Sequence, residues 1–264
     1  MLVKIKSMIA GLLGAMVLSA FSTVTFTAEA ANVVPVHLKV GKYSILYTQP
    51  APPFADQAHR VQVPLRSIED LLGGKVKYNP SFKTADVEWM GHTFQFMVNS
   101  KIVQIDGKTV QMDTTPVLKN QAMFLPIRFF LDATDVKWRW DQASQQIILS
   151  DDRVVKGEPF EDFIGMDATS VKNENAMVIQ SYSIKGKYMT ITALNVSGHT
   201  IPAGKADINP LFHYSNGQFG MDPYSRSSEP PLKAVRKGDT VSKKIRGNIT
   251  GDVDYVITVG RELN

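Results

Sequence analysis

Cysteine is absent from all 264 residues. Disulfide staples, thiolate metal ligands and thiol catalysis are excluded together, so stability must come from burial and hydrogen bonding. Long apolar runs are scarce as well. Residues 8–20 form one, and no later stretch approaches the ~20 residues of a membrane helix. Charge of one sign is also lacking: 29 Lys and Arg stand against 25 Asp and Glu, a formal net charge of +4. The cations are scattered, with one local group at Lys233, Arg236, Lys237, Lys243, Lys244 and Arg246. Nucleic-acid binding needs a denser basic stripe, so nucleic acid is not an expected partner.

Chemical motifs are equally sparse. His37, His59, His92, His199 and His213 show neither an i,i+4 nor a His-x-His spacing, so no metal or other cofactor is expected. The chain has no Gly-x-Ser-x-Gly, P-loop or dinucleotide glycine motif, and no EF-hand loop. Carboxylates at Glu161, Asp162, Asp207, Asp222, Asp252 and Asp254 sit near expected turns, which their side chains favour. No catalytic or cofactor-binding residue is assigned, and the protein is expected not to be an enzyme.

What is present begins with a leader. Lys4 and Lys6 precede the apolar run, and Ala28-Glu29-Ala30 supplies a small-x-small cleavage signal. This three-part pattern reads as a secretory signal peptide over residues 1–30. It implies a secreted or cell-wall-associated protein with no membrane span after cleavage.

The next feature is an internal repeat. Val63-Pro64-Leu65-Arg66 returns as Leu125-Pro126-Ile127-Arg128, and the register then holds: Asp70 matches Asp132, Tyr78 matches Trp140 and Asn79 matches Asp141. Two units of about 60 residues each occupy residues 33–150. Each reads as strands around one short helix, with proline at its first turn and, in the first copy, Gly73-Gly74 as its stop. Arg66 with Asp70, and Arg128 with Asp132, have the i,i+4 spacing that brings helix side chains together. The arginines are expected to be structural, each held within its own unit. Trp89, Trp138, Trp140 and Tyr78 gather near the unit ends, and the equivalence of Tyr78 and Trp140 favours packing roles.

A polar, turn-rich stretch places a domain boundary near residue 155. Residues 31–155 form an α+β repeat domain, and residues 156–264 an all-β domain with short strands and almost no helical period. The strand count suggests an immunoglobulin-like sandwich. Asp207-Ile208-Asn209-Pro210 and Asp222-Pro223-Tyr224-Ser225-Arg226 read as loops at one of its ends, where binding residues gather.

The repeated motif, Val63-Pro64-Leu65-Arg66 through Asp70, Leu72-Gly73, Val76 and Tyr78-Asn79, resembles the copper amine oxidase N-terminal-like domain, or stalk domain. Pro126, Arg128, Asp132 and Trp140 carry the resemblance in the second copy, which departs at Thr134 and Asp135, where Leu-Gly is expected. The family is common in exported proteins of Gram-positive spore-forming bacteria. The resemblance implies a non-catalytic module for wall attachment or protein contact, since oxidase chemistry belongs to a separate domain. The expected function is a cell-envelope binding or structural module whose partner is a cell-wall polymer or another envelope protein. The alternatives are a wall-polymer hydrolase and a metal-binding exported protein.

Overall fold

A computed structural model describes residues 35–48, 52–221, 231–246 and 253–264. The expected leader, residues 49–51 of the Pro-rich stretch 49–53 and the loop at 222–226 lie outside the described residues. Strands β1 (His37–Val40) and β2 (Tyr43–Tyr47) form a hairpin around Gly41, whose φ of +58° suits glycine. They are followed by β3 (Phe54–Ala55), β4 (Val61–Pro64), helix α1 (Arg66–Asp70), β5 (Lys75–Asn79), β6 (Thr84–Trp89) and β7 (His92–Met97). The same order returns as β8 (Ile102–Ile105), β9 (Lys108–Gln111), β10 (Val117–Lys119), β11 (Ala122–Pro126), α2 (Ile127–Ala133), β12 (Trp138–Asp141) and β13 (Gln146–Leu149).

Pro64 closes β4 instead of opening the helix. The Leu65 N–H donates to the Met123 carbonyl at 2.8 Å, which keeps the chain in the sheet one residue longer. Pro126 caps α2 from an extended conformation. β4 and β11 pair antiparallel with Val63 opposite Leu125, flanked by Gln62 opposite Pro126 and Pro64 opposite Phe124. Val63 and Leu125 are matching motif positions, so the register is that of a local two-fold axis.

The hairpins are exchanged across this axis. β1 lies parallel on β13, so the β1–β2 hairpin extends the sheet of the second motif. The β8–β9 hairpin joins the first motif through β7, in the order β5-β6-β7-β8-β9. Each motif is therefore completed by chain from the other.

Helix α3 (Glu158–Met166) was not expected, because Lys156-Gly157-Glu158-Pro159 at its start reads as a turn. Proline at the helix start and the acids Glu158 and Glu161 suit its N-terminal turn. Phe160 and Phe163 bury against Tyr43, with ring centroids 4.8 and 5.3 Å away. Strands β14 (Val171–Asn173), β15 (Met177–Lys185), β16 (Tyr188–Asn195), β17 (Ala206–Tyr214), β18 (Phe219–Met221), β19 (Thr240–Arg246) and β20 (Val253–Leu263) complete the described elements. Asp207, Asn209 and Pro210 lie inside β17 and not in a loop, because Ile208, Leu211 and Phe212 are buried there and the Asp207 charge finds a partner in β20.

β20 pairs with β2 on one edge and β17 on the other, giving one sheet in the order β12-β13-β1-β2-β20-β17-β18. That sheet joins strands from both sides of residue 155, and residues 34–264 form one unit. Its two faces line two cores. Tyr255, Ile257 and Val259 join the core that holds Trp89, Phe130 and Phe163. Val256 and Ile208 join the other, which holds Met189 and Ile191 of the three-stranded sheet β15-β16-β19.

Arg261, near the end of β20, is fully buried. Its Nε donates to Asp207 Oδ2 at 2.8 Å, its Nη2 to Asp167 Oδ1 at 3.0 Å, and its Nη1 to Asp167 Oδ2. Asp167 terminates α3, so one guanidinium ties that helix to β17 and β20. Burial raises the Asp167 carboxyl, but the Arg261 and Thr169 hydrogen bonds outweigh it and hold the group at about 2. The charged form thus stabilises the fold above the ordinary carboxylate range, and that contribution fades as pH falls through about 2. Arg261→Met should lower stability in urea unfolding at neutral pH by about 3–5 kcal/mol, because it leaves two carboxylates without their cation. The deficit should shrink in acid, where those carboxyls take up protons.

Candidate functional site

The motif residues divide between a seam and an open cleft. At the seam, α1 of the first motif meets β20. Arg66 opens α1, and its Nη2 lies 2.8 Å from Asp254 Oδ1, a carboxylate with only 9% of its side chain exposed. The cation is therefore held by a distant strand, outside its own unit. Burial pushes the Asp70 carboxyl up to about 6; Arg66 opposes the shift, and Glu69 and Asp254 add to it. Ser67 shares a 2.6 Å hydrogen bond with the Tyr47 hydroxyl, and Tyr182 donates to the Tyr47 carbonyl at 3.0 Å. Tyr255 stacks on His213 with centroids 4.5 Å apart and rings 6° from parallel. Burial raises the Tyr255 hydroxyl and lowers the His213 imidazole. The Tyr255 hydroxyl and His213 Nδ1 are buried without a partner among the described residues.

Glycines let the seam close. Gly73 adopts φ +67°, and a Cβ there would lie 2.7 Å from Lys156 Cβ. A Cβ on Gly157 would lie 2.0 Å from the Asp70 carbonyl oxygen, so α3 can start against the end of α1 only with glycine at that position.

The second motif uses the same residue types differently. Arg128 Nε donates to Asp132 Oδ2 at 2.8 Å, both about half exposed, as the i,i+4 spacing predicts. Tyr78 lies exposed on the edge strand β5. Its counterpart Trp140 packs one side against the core and donates its indole N–H to Gln142 Oε1 at 2.9 Å. Trp138 lies two residues before it on β12, also half buried. Together they line a cleft of about 310 Å³ with His59, Arg128, Gln142 and Gln145. A larger, shallower cleft of about 720 Å³ adjoins it and shares Trp138 and Arg128. Trp89, by contrast, is buried and donates to the Leu72 carbonyl at 2.9 Å.

The histidines are dispersed. His92 Nδ1 lies 2.7 Å from Asp106, His199 Nε2 lies 3.0 Å from Glu262, and His37 is buried beneath Tyr182. Among the described residues no three His, Asp or Glu side chains are grouped to hold a metal ion. Sequence reasoning missed the seam cluster of Asp254, Tyr255 and His213, since no local pattern tells which strand a helix will meet. It also missed Gln142 and Gln145, although the Asp141 turn between paired strands places them beside Trp140.

Residues 40–149 match the family model for the copper amine oxidase N-terminal domain, the family whose motif the repeat resembles. No curated protein and no solved structure matches the chain.

The two arginines should respond differently to truncation. Arg66→Ala should cost about 2–3 kcal/mol, because it strands the nearly buried Asp254. Arg128→Ala should cost less than about 1 kcal/mol, as for an exposed pair; thermal unfolding of both variants checks the contrast. The Asp70 carboxyl is raised in the fold, so its contribution is complete below the ordinary carboxylate range and is lost as pH rises through about 6. Asp70→Asn should therefore raise the melting temperature at pH 7, by the equivalent of about 1–2 kcal/mol, and change little near pH 4.

Proposed function

We propose that this chain is a non-catalytic exported module of the cell envelope that binds a wall polymer. One observation carries the reading: two tryptophans of β12, packed on the core by one side, remain partly exposed in an open cleft beside Arg128, while the matching residues of the first motif are engaged at the seam or left on a bare edge. Aromatic rings beside a guanidinium and free amides are the chemistry of carbohydrate and anion recognition. The leader pattern supports export, and the absence of cysteine removes thiol chemistry. In this reading residues 31–155 present the binding face, and the remainder is an immunoglobulin-like sandwich that braces it through β20.

A hydrolase reading has one observation in its favour. Asp70, raised to about 6, has the poise of a general acid. Incubating the chain from residue 31 with purified insoluble wall material separates the two readings. Retention in the pellet with no soluble fragments is the expected outcome. Release of fragments that stops in Asp70→Asn would replace the binding reading with hydrolysis.

A further inference from the structure

Resting on that binding reading, we propose that the groove around Trp138 and Trp140 takes a glycan of N-acetylated amino sugars that bears carboxylate groups. Four features of the groove converge on that chemistry.

The first is the pair of rings. Trp138 and Trp140 sit at alternate positions of β12, so both project from one face of the strand, about 7 Å apart along it. Opposite β12 they meet Leu149 and Ile147 of β13. One side of each ring is fixed on the core, and the rest lines the cleft. Rigid rings at this spacing offer stacking faces to successive sugar rings at little entropic cost.

The second is a set of amide groups with spare capacity. Gln142 uses its Oε1 to accept the Trp140 N–H, and Gln145 uses its Nε2 to donate to the Gln142 carbonyl. Among the described residues this leaves the Gln142 amide donors and the Gln145 amide oxygen without a protein partner. A donor and an acceptor on two residues of one turn, both lining the cleft, match the carbonyl and N–H of an acetamido substituent. Gln145 is also fixed in place, with φ +51° and its carbonyl accepting from the His37 N–H.

The third is charge. Arg128 gives only its Nε–H to Asp132 among the described residues, so its terminal Nη groups are left to the groove. The acids on the wider cleft are already met, Asp132 by Arg128 and Asp135 by Arg153 at 2.9 Å. Lys137, exposed in the same cleft, has no carboxylate partner among the described residues. Lys137 is thus the cation left over in the cleft, and Arg128, though paired with Asp132, still presents terminal N–H groups that can donate to a second carboxylate. The fourth feature is extent. Two clefts of about 720 and 310 Å³ share Trp138 and Arg128 in their linings and together offer more room than a single sugar fills, which favours a polymer.

The test is titration of the chain from residue 31 with three probes, read by tryptophan fluorescence and calorimetry. They are a neutral oligosaccharide of N-acetylglucosamine, an oligosaccharide of N-acetylated sugars with a carboxylated ether on alternate rings, and a polyol-phosphate oligomer. Saturable binding of the carboxylated saccharide, with a change in indole emission, is expected. The neutral saccharide should bind at least tenfold more weakly and the phosphate oligomer more weakly still. Arg128→Ala should bring the carboxylated saccharide down to the affinity of the neutral one. Gln142→Ala, at an exposed position, should weaken both saccharides at least fivefold with an unchanged melting temperature. Binding of neither saccharide, preference for the phosphate oligomer, or affinities unaltered in both variants would overturn the proposal. Wall retention that persists without saccharide binding would overturn this assignment alone. Loss of retention as well would remove the binding reading beneath it.

Discussion

Strand β20 carries three charged side chains out of water, and the fold depends on meeting all of them. Asp254, Arg261 and Glu262 are each buried, and an unpaired buried charge costs several kcal/mol. Asp254 is met by Arg66 from the first motif, Arg261 by Asp167 and Asp207, and Glu262 by Lys172 and His199. The partners come from the first motif, from the end of α3 and from the strands and loop between residues 171 and 207. Because β2 and β17 also pair with its two edges, the last strand seats only when both the repeat region and the C-terminal region are in place. Such non-local pairing binds the whole into one unit and slows its assembly.

That constraint explains why two similar motifs have diverged in use. The first motif lies against β20 and α3, so its arginine, its helix end and Gly73 serve close approach. The second faces outward. Its arginine makes a surface pair, and its helix ends at Thr134 in extended backbone, with the Thr134 hydroxyl donating to the Phe130 carbonyl at 3.1 Å. Freed from a seam, this copy keeps two tryptophans, Arg128 and two glutamines at the surface. Duplication thus provides one copy for bracing and leaves the other open at the surface, where the proposed recognition face lies.

The hairpin exchange follows from the same economy of edges. A short hairpin is marginal by itself. β1–β2 gains a parallel partner in β13 on one side and β20 on the other, and β8–β9 gains β7. Each motif alone would expose a strand edge; the exchange covers those edges with chain already nearby.

Much of the strand pattern was legible in the sequence. The run of short strands after residue 156 and the short helices that follow Pro64 and Pro126 showed as local patterns, because these signals rest on neighbours a few positions apart. Helix α3 escaped because Gly157 and Pro159 at its start are turn residues as well as helix-start residues. Asp207 and Pro210 misled because both residues favour turns, while Arg261, the partner that settles Asp207 in a strand, lies far along the chain. Trp140 and Arg128 were legible as candidates, but not their exposure. The sequence by itself determined the repeat, the strand periods, the leader pattern and the exclusion of thiol chemistry. Only the tertiary structure decided that β1 lies on β13, that Arg66 belongs to Asp254, and that Trp138, Trp140 and Gln142 share a groove. Periodicity states which face of a strand is apolar; it carries no term for which distant strand will cover that face.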